Sequence, residues 1–128
     1  MRAKAANPEA LIIGVSPHPF FQDTQDILRT YDVATSDMRI HLDRARYARA
    51  LSPGMPVALD EPGYHENFFE YIENACTLGI PMIYNLLCFS AEQVWYTDDD
   101  YRRLKAILDA YVARTPRLKR YLETLPAP

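Results

Sequence analysis

Residues 56–85 read PVALDEPGYHENFFEYIENACTLGIPMIYN, and they hold one complete strand–helix–strand repeat. PVALDE (56–61) is a short apolar run that begins at a proline and ends in polar and turn-forming residues at Pro62-Gly63, the pattern of a strand. Beyond it, Phe68, Tyr71, Ile72, Ala75 and Leu78 recur at helical spacing, with Asn67 placed to cap the helix. Gly79 stands where a glycine closes a helix in the left-handed conformation, and IPMIYN (80–85) follows at once as a second strand. Two strands joined through a helix run parallel, because a short hairpin cannot return the chain antiparallel across such a crossover.

Outward from that repeat, LIIGVS (11–16) and DVATSD (32–37) have the same character. Strand starts at 11, 32, 56 and 80 give steps of 21, 24 and 24 residues, each long enough for a loop and a short helix. The spacing predicts a helix from Asp23 or Thr24 to Tyr31, carrying Ile27, Leu28 and Tyr31 on its apolar face. A second helix, HLDRARYARALSPG (41–54), stops at Pro53-Gly54. Thr97 followed by Asp98, Asp99 and Asp100 is a helix start, since carboxylates favour the positive end of the macrodipole. Tyr101, Leu104, Leu108 and Tyr111 line the helix after it, and Thr115-Pro116 opens a last one with Leu118, Tyr121, Leu122 and Leu125. The expected fold is α/β: a single domain over 1–128 with four mostly parallel strands in βα units, as a half-barrel or open sheet, plus two C-terminal helices. Its open sheet edges and many aromatic residues predict a homo-oligomer or a partner chain.

Composition excludes several classes. Among 128 residues, 14 Lys+Arg against 17 Asp+Glu give a net charge of −3, which opposes non-specific nucleic-acid binding. Arg114, Arg117, Lys119 and Arg120 then read as a solvated helix face. No run approaches the roughly 18 apolar residues of a membrane span, and the apolar LIIGV is too short for a leader's core. With Cys76 and Cys88 read as buried free thiols, the expectation is a cytoplasmic protein. Neither G-x-G-x-x-G, nor a P-loop, nor G-x-S-x-G occurs, and no cofactor is expected. A metal triad of His18, Glu61 and His65 lacks ligand spacing, so no metal is expected either.

In parallel βα sheets ligands bind beyond the carboxyl ends of the strands. Those ends carry Ser16 and His18; Ser36, Asp37 and Arg39; Asp60, Glu61, Tyr64 and His65; and Asn85. Glu61, Asp37 and His18 are the candidate catalytic residues, and Arg39, Asp60, Tyr64, His65 and Asn85 the candidate substrate-binding ones. Adjacent strand residues face opposite ways, so Val57, Leu59 and Glu61 share one face while Ala58 and Asp60 share the other. Only one of the two carboxylates can enter a given pocket. Glu61 can serve as a base, a nucleophile or a sugar-hydroxyl acceptor, or else cap the next helix or pair with Arg39.

MPVALDEPGY, then HENFFEYIENACTLG and IPMIYNLL, resembles the seventh and eighth βα units of TIM-barrel glycoside hydrolases. In that family a P-V-x-x-x-E strand ends in the nucleophilic carboxylate, and Glu61 matches it. LIIGVSPHP and YDVATSDMR then look like the fifth and sixth strands, so that the resemblance spans about residues 10–95. The resemblance implies a carbohydrate ligand. It also implies half of a barrel, since a whole one takes about 250 residues, with the acid/base carboxylate of the fourth strand supplied from elsewhere. Two functions follow as expectations: a carbohydrate-active, glycoside-hydrolase-like protein completed by a partner, or a non-catalytic structural or interaction subunit. In the first the strand-end residues converge on one site, and in the second they scatter into caps and ion pairs.

Overall fold

Strands β1 (Ile13–Gly14), β2 (Ile27–Thr30), β3 (Val57–Asp60) and β4 (Ile80–Met82) form one parallel sheet in the order β1-β2-β3-β4. The computed structural model describes residues 2–15, 23–30, 37–83, 85–117 and 120. In register, Leu28 lies beside Val57 and Thr30 beside Leu59, while Ala58 lies beside Ile80 and Asp60 beside Met82. Helices α1 (Arg2–Ala6), α2 (Met38–Leu51), α3 (His65–Leu78) and α4 (Asp98–Ala113) accompany the sheet. Between β4 and α4 lies an antiparallel hairpin of β5 (Cys88–Phe89) and β6 (Val94–Trp95).

The pleat divides the sheet chemically. Leu28, Val57 and Leu59 project from one face into a core shared with Ala45 and Ala48 of α2, with Phe68, Tyr71, Ile72 and Ala75 of α3, and with Phe89 and Leu104. Arg29, Ala58 and Asp60 belong to the other face. All four residues of β3 are buried, Asp60 included.

Several sequence expectations change. The second strand is Ile27–Thr30, inside the stretch expected to be helical, and residues 23–24 form a turn. Tertiary pairing overrides the local pattern there: the Asp26 carboxylate accepts the Ile12 N–H at 2.8 Å and pairs with Lys4, and Arg29 is extended towards Asp60. Of the expected strand 32–37, residues 32–36 lie outside the described residues and Asp37 caps α2. The cap of α3 is Tyr64 rather than Asn67, and it is extended with no side-chain bond. The carboxylate of Glu92, in the hairpin, accepts the His65 N–H at 2.8 Å and does the capping from outside the helix. Gly79 closes α3 with a φ of −173°, not left-handed. Its role is close approach: a Cβ there would stand 2.2 Å from the Val57 carbonyl oxygen and 2.6 Å from Leu59 Cδ1, so only glycine lets α3 turn down onto β3.

The start of α4 is as expected, with a reciprocal capping box between Thr97 and Asp100. Pro116 and Arg117 are helical, while Leu118, Tyr121, Leu122 and Leu125 lie outside the described residues. Among the described residues no helix is long and apolar enough to cross a membrane.

Candidate functional site at the carboxyl ends of β3 and β4

Asp60 and Glu61 leave the end of β3 in opposite directions, and each meets a different environment. The Asp60 carboxylate, only 1% exposed, accepts from Arg29 Nε at 2.9 Å through both oxygens. Glu61 is also buried, at 2% exposure, and its N–H donates to the Met82 carbonyl at 3.1 Å, extending the β3–β4 pairing by one residue. Pro62 and Gly63 beyond it are buried as well. Gly63 has a φ of +75°, and a Cβ there would lie 2.7 Å from Ser90 Oγ, so a glycine turn seats the hairpin against this strand end. The Ala91 N–H donates to the Gly63 carbonyl at 2.9 Å and fixes that seat.

Tyr96 is the hub. Its ring meets Phe89 edge-on at 4.4 Å, Tyr101 at 5.5 Å and Phe68 at 5.6 Å between centroids. Its hydroxyl donates to the Asn85 carbonyl at 3.2 Å, tying the hairpin to the end of β4. Burial, and after it the Glu61 carboxylate, push the Tyr96 phenol well above the usual tyrosine range, so it remains a donor at any physiological pH. The Asn85 side chain accepts the Leu87 and Cys88 N–H groups at 3.2 and 3.4 Å, a turn that opens the hairpin. His65, the first residue of α3, stacks on Phe89 at 4.5 Å and places Nε2 3.6 Å from Asp100 Oδ1.

Asn85 is therefore tied to Tyr96 and His65 to Asp100 and Phe89, the Glu61 carboxylate is near enough to act on the Tyr96 phenol, and half-buried Tyr64 precedes His65 at the cap of α3. Asp60 is not gathered with them, because the pleat turns it to the other face. Asp37 and Arg39 form their own pair at the start of α2: Asp37 accepts the Arg39 N–H at 2.9 Å and Nη2 at 2.9 Å. His18, Ser16 and Ser36 lie outside the described residues. Sequence reasoning missed Arg29, Glu92 and Tyr96. The hairpin that delivers Tyr96 and Glu92 has strands of only two residues each, and gave no sequence signal strong enough to find it.

Asp100 supplies a pH handle. Burial raises its carboxyl, but the Thr97 N–H and hydroxyl, each donating at 2.8 Å, together with His65, outweigh that and hold it below the ordinary value of 3.8. A depressed folded pKa contributes stability that is present above the unfolded value and lost as pH falls below it. Thr97→Ala is expected to cost about 1 kcal/mol at pH 7. The same change should flatten the loss of stability below pH 3.8, as read from urea melts at pH 7 and at pH 3.

Among the described residues no group of three or more His, Cys, Asp or Glu is arranged to hold a metal ion. Cys76 and Cys88 are free thiols, and burial pushes the Cys76 thiol up. The cluster thus offers carboxylate acceptors, a phenol whose ionisation is pushed up by burial, and an imidazole, framed by aromatic rings. No protein-family model, characterised protein or solved structure matches the chain.

Proposed function

We propose that the chain is a carbohydrate-binding, glycoside-hydrolase-like α/β unit whose sugar ligand meets Glu61 at the carboxyl edge of the sheet. The observation that carries this reading is the convergence of Glu61, His65, Asn85, Tyr96 and Asp100 from two strand ends, two helix starts and the hairpin. A sugar presents hydroxyls that donate to carboxylates and apolar ring faces that stack on aromatic side chains, and this edge has both. The Glu61 oxygens are buried, so ligand entry displaces a neighbour. We assign that movement to the Ser90-Ala91 turn seated on Gly63, two residues away.

Cleavage of a glycosidic bond takes two carboxylates about 5 to 9.5 Å apart on either side of it. Asp60 faces away and is held by Arg29, and Asp100 is engaged by Thr97 and His65. The chain is accordingly read as a binding half that acquires hydrolysis only with a second carboxylate from a partner chain. A structural or interaction subunit is the second reading, favoured by the use of Asp37, Arg39 and Asp60 in ion pairs.

The single tryptophan, Trp95, lies in the hairpin and reports on this edge by fluorescence. In a screen of soluble oligosaccharides, at least one should change its emission saturably. Glu61→Gln should weaken that response about tenfold or more, the scale of one lost charge-assisted hydrogen bond, with little change in melting temperature. A variant that is destabilised by about 1 kcal/mol or more yet responds to the sugar as the wild type does makes Glu61 structural and removes the proposed contact.

A further inference from the structure

The hairpin is held very differently at its two ends. At its base the Tyr96 N–H donates to the Leu87 carbonyl at 3.0 Å, the Tyr96 hydroxyl to the Asn85 carbonyl, and the Tyr101 hydroxyl to the Leu86 carbonyl at 2.6 Å. Phe89, completely buried, packs there against His65, Phe68, Phe69 and Tyr96. That end is anchored. At the tip, residues 91–93 are exposed, and among the described residues two hydrogen bonds fasten the turn to the rest of the fold. The Ala91 N–H donates to the Gly63 carbonyl at 2.9 Å, and the Glu92 carboxylate accepts the His65 N–H at 2.8 Å.

The closed tip also holds strain. The Glu92 and Gln93 N–H groups both donate to the Phe89 carbonyl, at 3.2 and 2.8 Å, and this tight turn puts Gln93 at a φ of +58°. Gln93 is the one non-glycine residue at positive φ among the described residues, a conformation that disfavours any side chain with a Cβ. Opening the turn relieves it.

The second of the two outside bonds does more than hold the tip. Tyr64 at the cap of α3 makes no side-chain bond, so the first N–H of that helix depends on a carboxylate brought by the hairpin, and that negative charge also suits the positive end of the helix. We propose that residues 90–93 form a flap, latched by Glu92 and sprung by Gln93, that opens and closes over Gly63 at the carboxyl edge of the sheet while the base of the hairpin stays in place. Lifting the flap uncaps α3 in the same step and loosens His65, which links α3 to Phe89 and Asp100. What passes the flap rests on the sugar reading: Gly63 lies two residues beyond Glu61, so the open flap is the way in.

Amide hydrogen exchange of the full chain without sugar tests the flap itself. The Ala91 N–H is diagnostic, because its acceptor is the Gly63 carbonyl and a change at Glu92 or Gln93 leaves that acceptor in place. Glu92→Ala should speed Ala91 exchange about fivefold or more, the scale of a lost helix cap. Glu92→Gln, which keeps an acceptor oxygen, should fall between that variant and the wild type. Gln93→Gly should slow the exchange about threefold, since relief of the left-handed strain exceeds the freedom that glycine adds to the open turn. The Tyr101 N–H, bonded to the Thr97 carbonyl at the start of α4, should keep its rate throughout. An Ala91 rate that Glu92→Ala leaves unchanged overturns the proposal, as does one that Gln93→Gly fails to slow. So does a Tyr101 rate that climbs with Ala91, since the whole hairpin then opens and not its tip. In stopped-flow mixing with a sugar that changes Trp95 emission, Glu92→Ala should raise the association rate by the factor seen in exchange, and an unchanged rate overturns the flap as the entry. Absence of sugar binding in every variant removes the sugar reading, and the exchange rates alone then decide the flap.

Discussion

Phe68→Ala should lower the unfolding free energy by about 3–5 kcal/mol, the range for truncating a fully buried aromatic side chain. Phe68 is completely buried at the junction of α3 and the hairpin, with ring centroids 5.3 Å from Phe69, 5.1 Å from Phe89 and 5.6 Å from Tyr96. Its removal leaves three rings without a common neighbour, so the cavity cannot close by one rotamer change. Because Tyr96 also ties Asn85 to the hairpin, the strand-end cluster should loosen before the sheet does. Urea denaturation gives the loss, and hydrogen exchange should show the residues around 85–96 opening first. Phe68→Leu, which keeps most of the volume, should cost markedly less.

Arg29→Met should cost about 3 kcal/mol, at the lower end of the range for breaking a buried ion pair because the Arg29 side chain is itself a third exposed. The substitution keeps the apolar stem and removes both bonds to an Asp60 carboxylate that has almost no access to water. The loss arises from a buried carboxylate deprived of its Arg29 bonds, which makes a sharp test possible. The double variant Arg29→Met/Asp60→Leu should cost far less than the two single changes added, since apolar replacement of both partners removes the charge along with its bonds. Additive losses would mean that the pair is not what anchors this face of the sheet.

These two sites mark what was and was not legible in the chain. The β3–α3–β4 repeat could be read directly, because an apolar strand, a helical stripe and a glycine stop agree over residues 57–82. Gly79 was singled out for a left-handed turn, but the closeness of the Val57 carbonyl is what demands it, and no local pattern shows a neighbour 22 residues away. β2 was hidden because Ile27-Leu28 suits a helix as well as a strand. The choice rests on Asp26 reaching Ile12 and Arg29 reaching Asp60, 31 residues on. The hairpin was hidden by strands of two residues each, too short for period-two alternation to stand out. The candidate site shared that fate. Glu61, His65 and Asn85 were identifiable as strand-end or helix-start polar residues, whereas Tyr96, which bonds Asn85, arrives on the unread hairpin. Asp37 and Arg39 were equally conspicuous in the sequence and are engaged with each other at the cap of α2.

Contact between a sugar and the Glu61 edge of the sheet is tested by a backbone amide chemical-shift map of the 15N-labelled chain titrated with the oligosaccharide selected by Trp95 fluorescence. Saturable shifts are expected at Glu61, His65, Asn85 and Tyr96 and in the Ser90-Ala91 turn, with Arg29, Asp37 and Arg39 unmoved. Shifts confined to other surfaces, such as the groove between α3 and α4 lined by Glu73, Arg103 and Arg114, would contradict it.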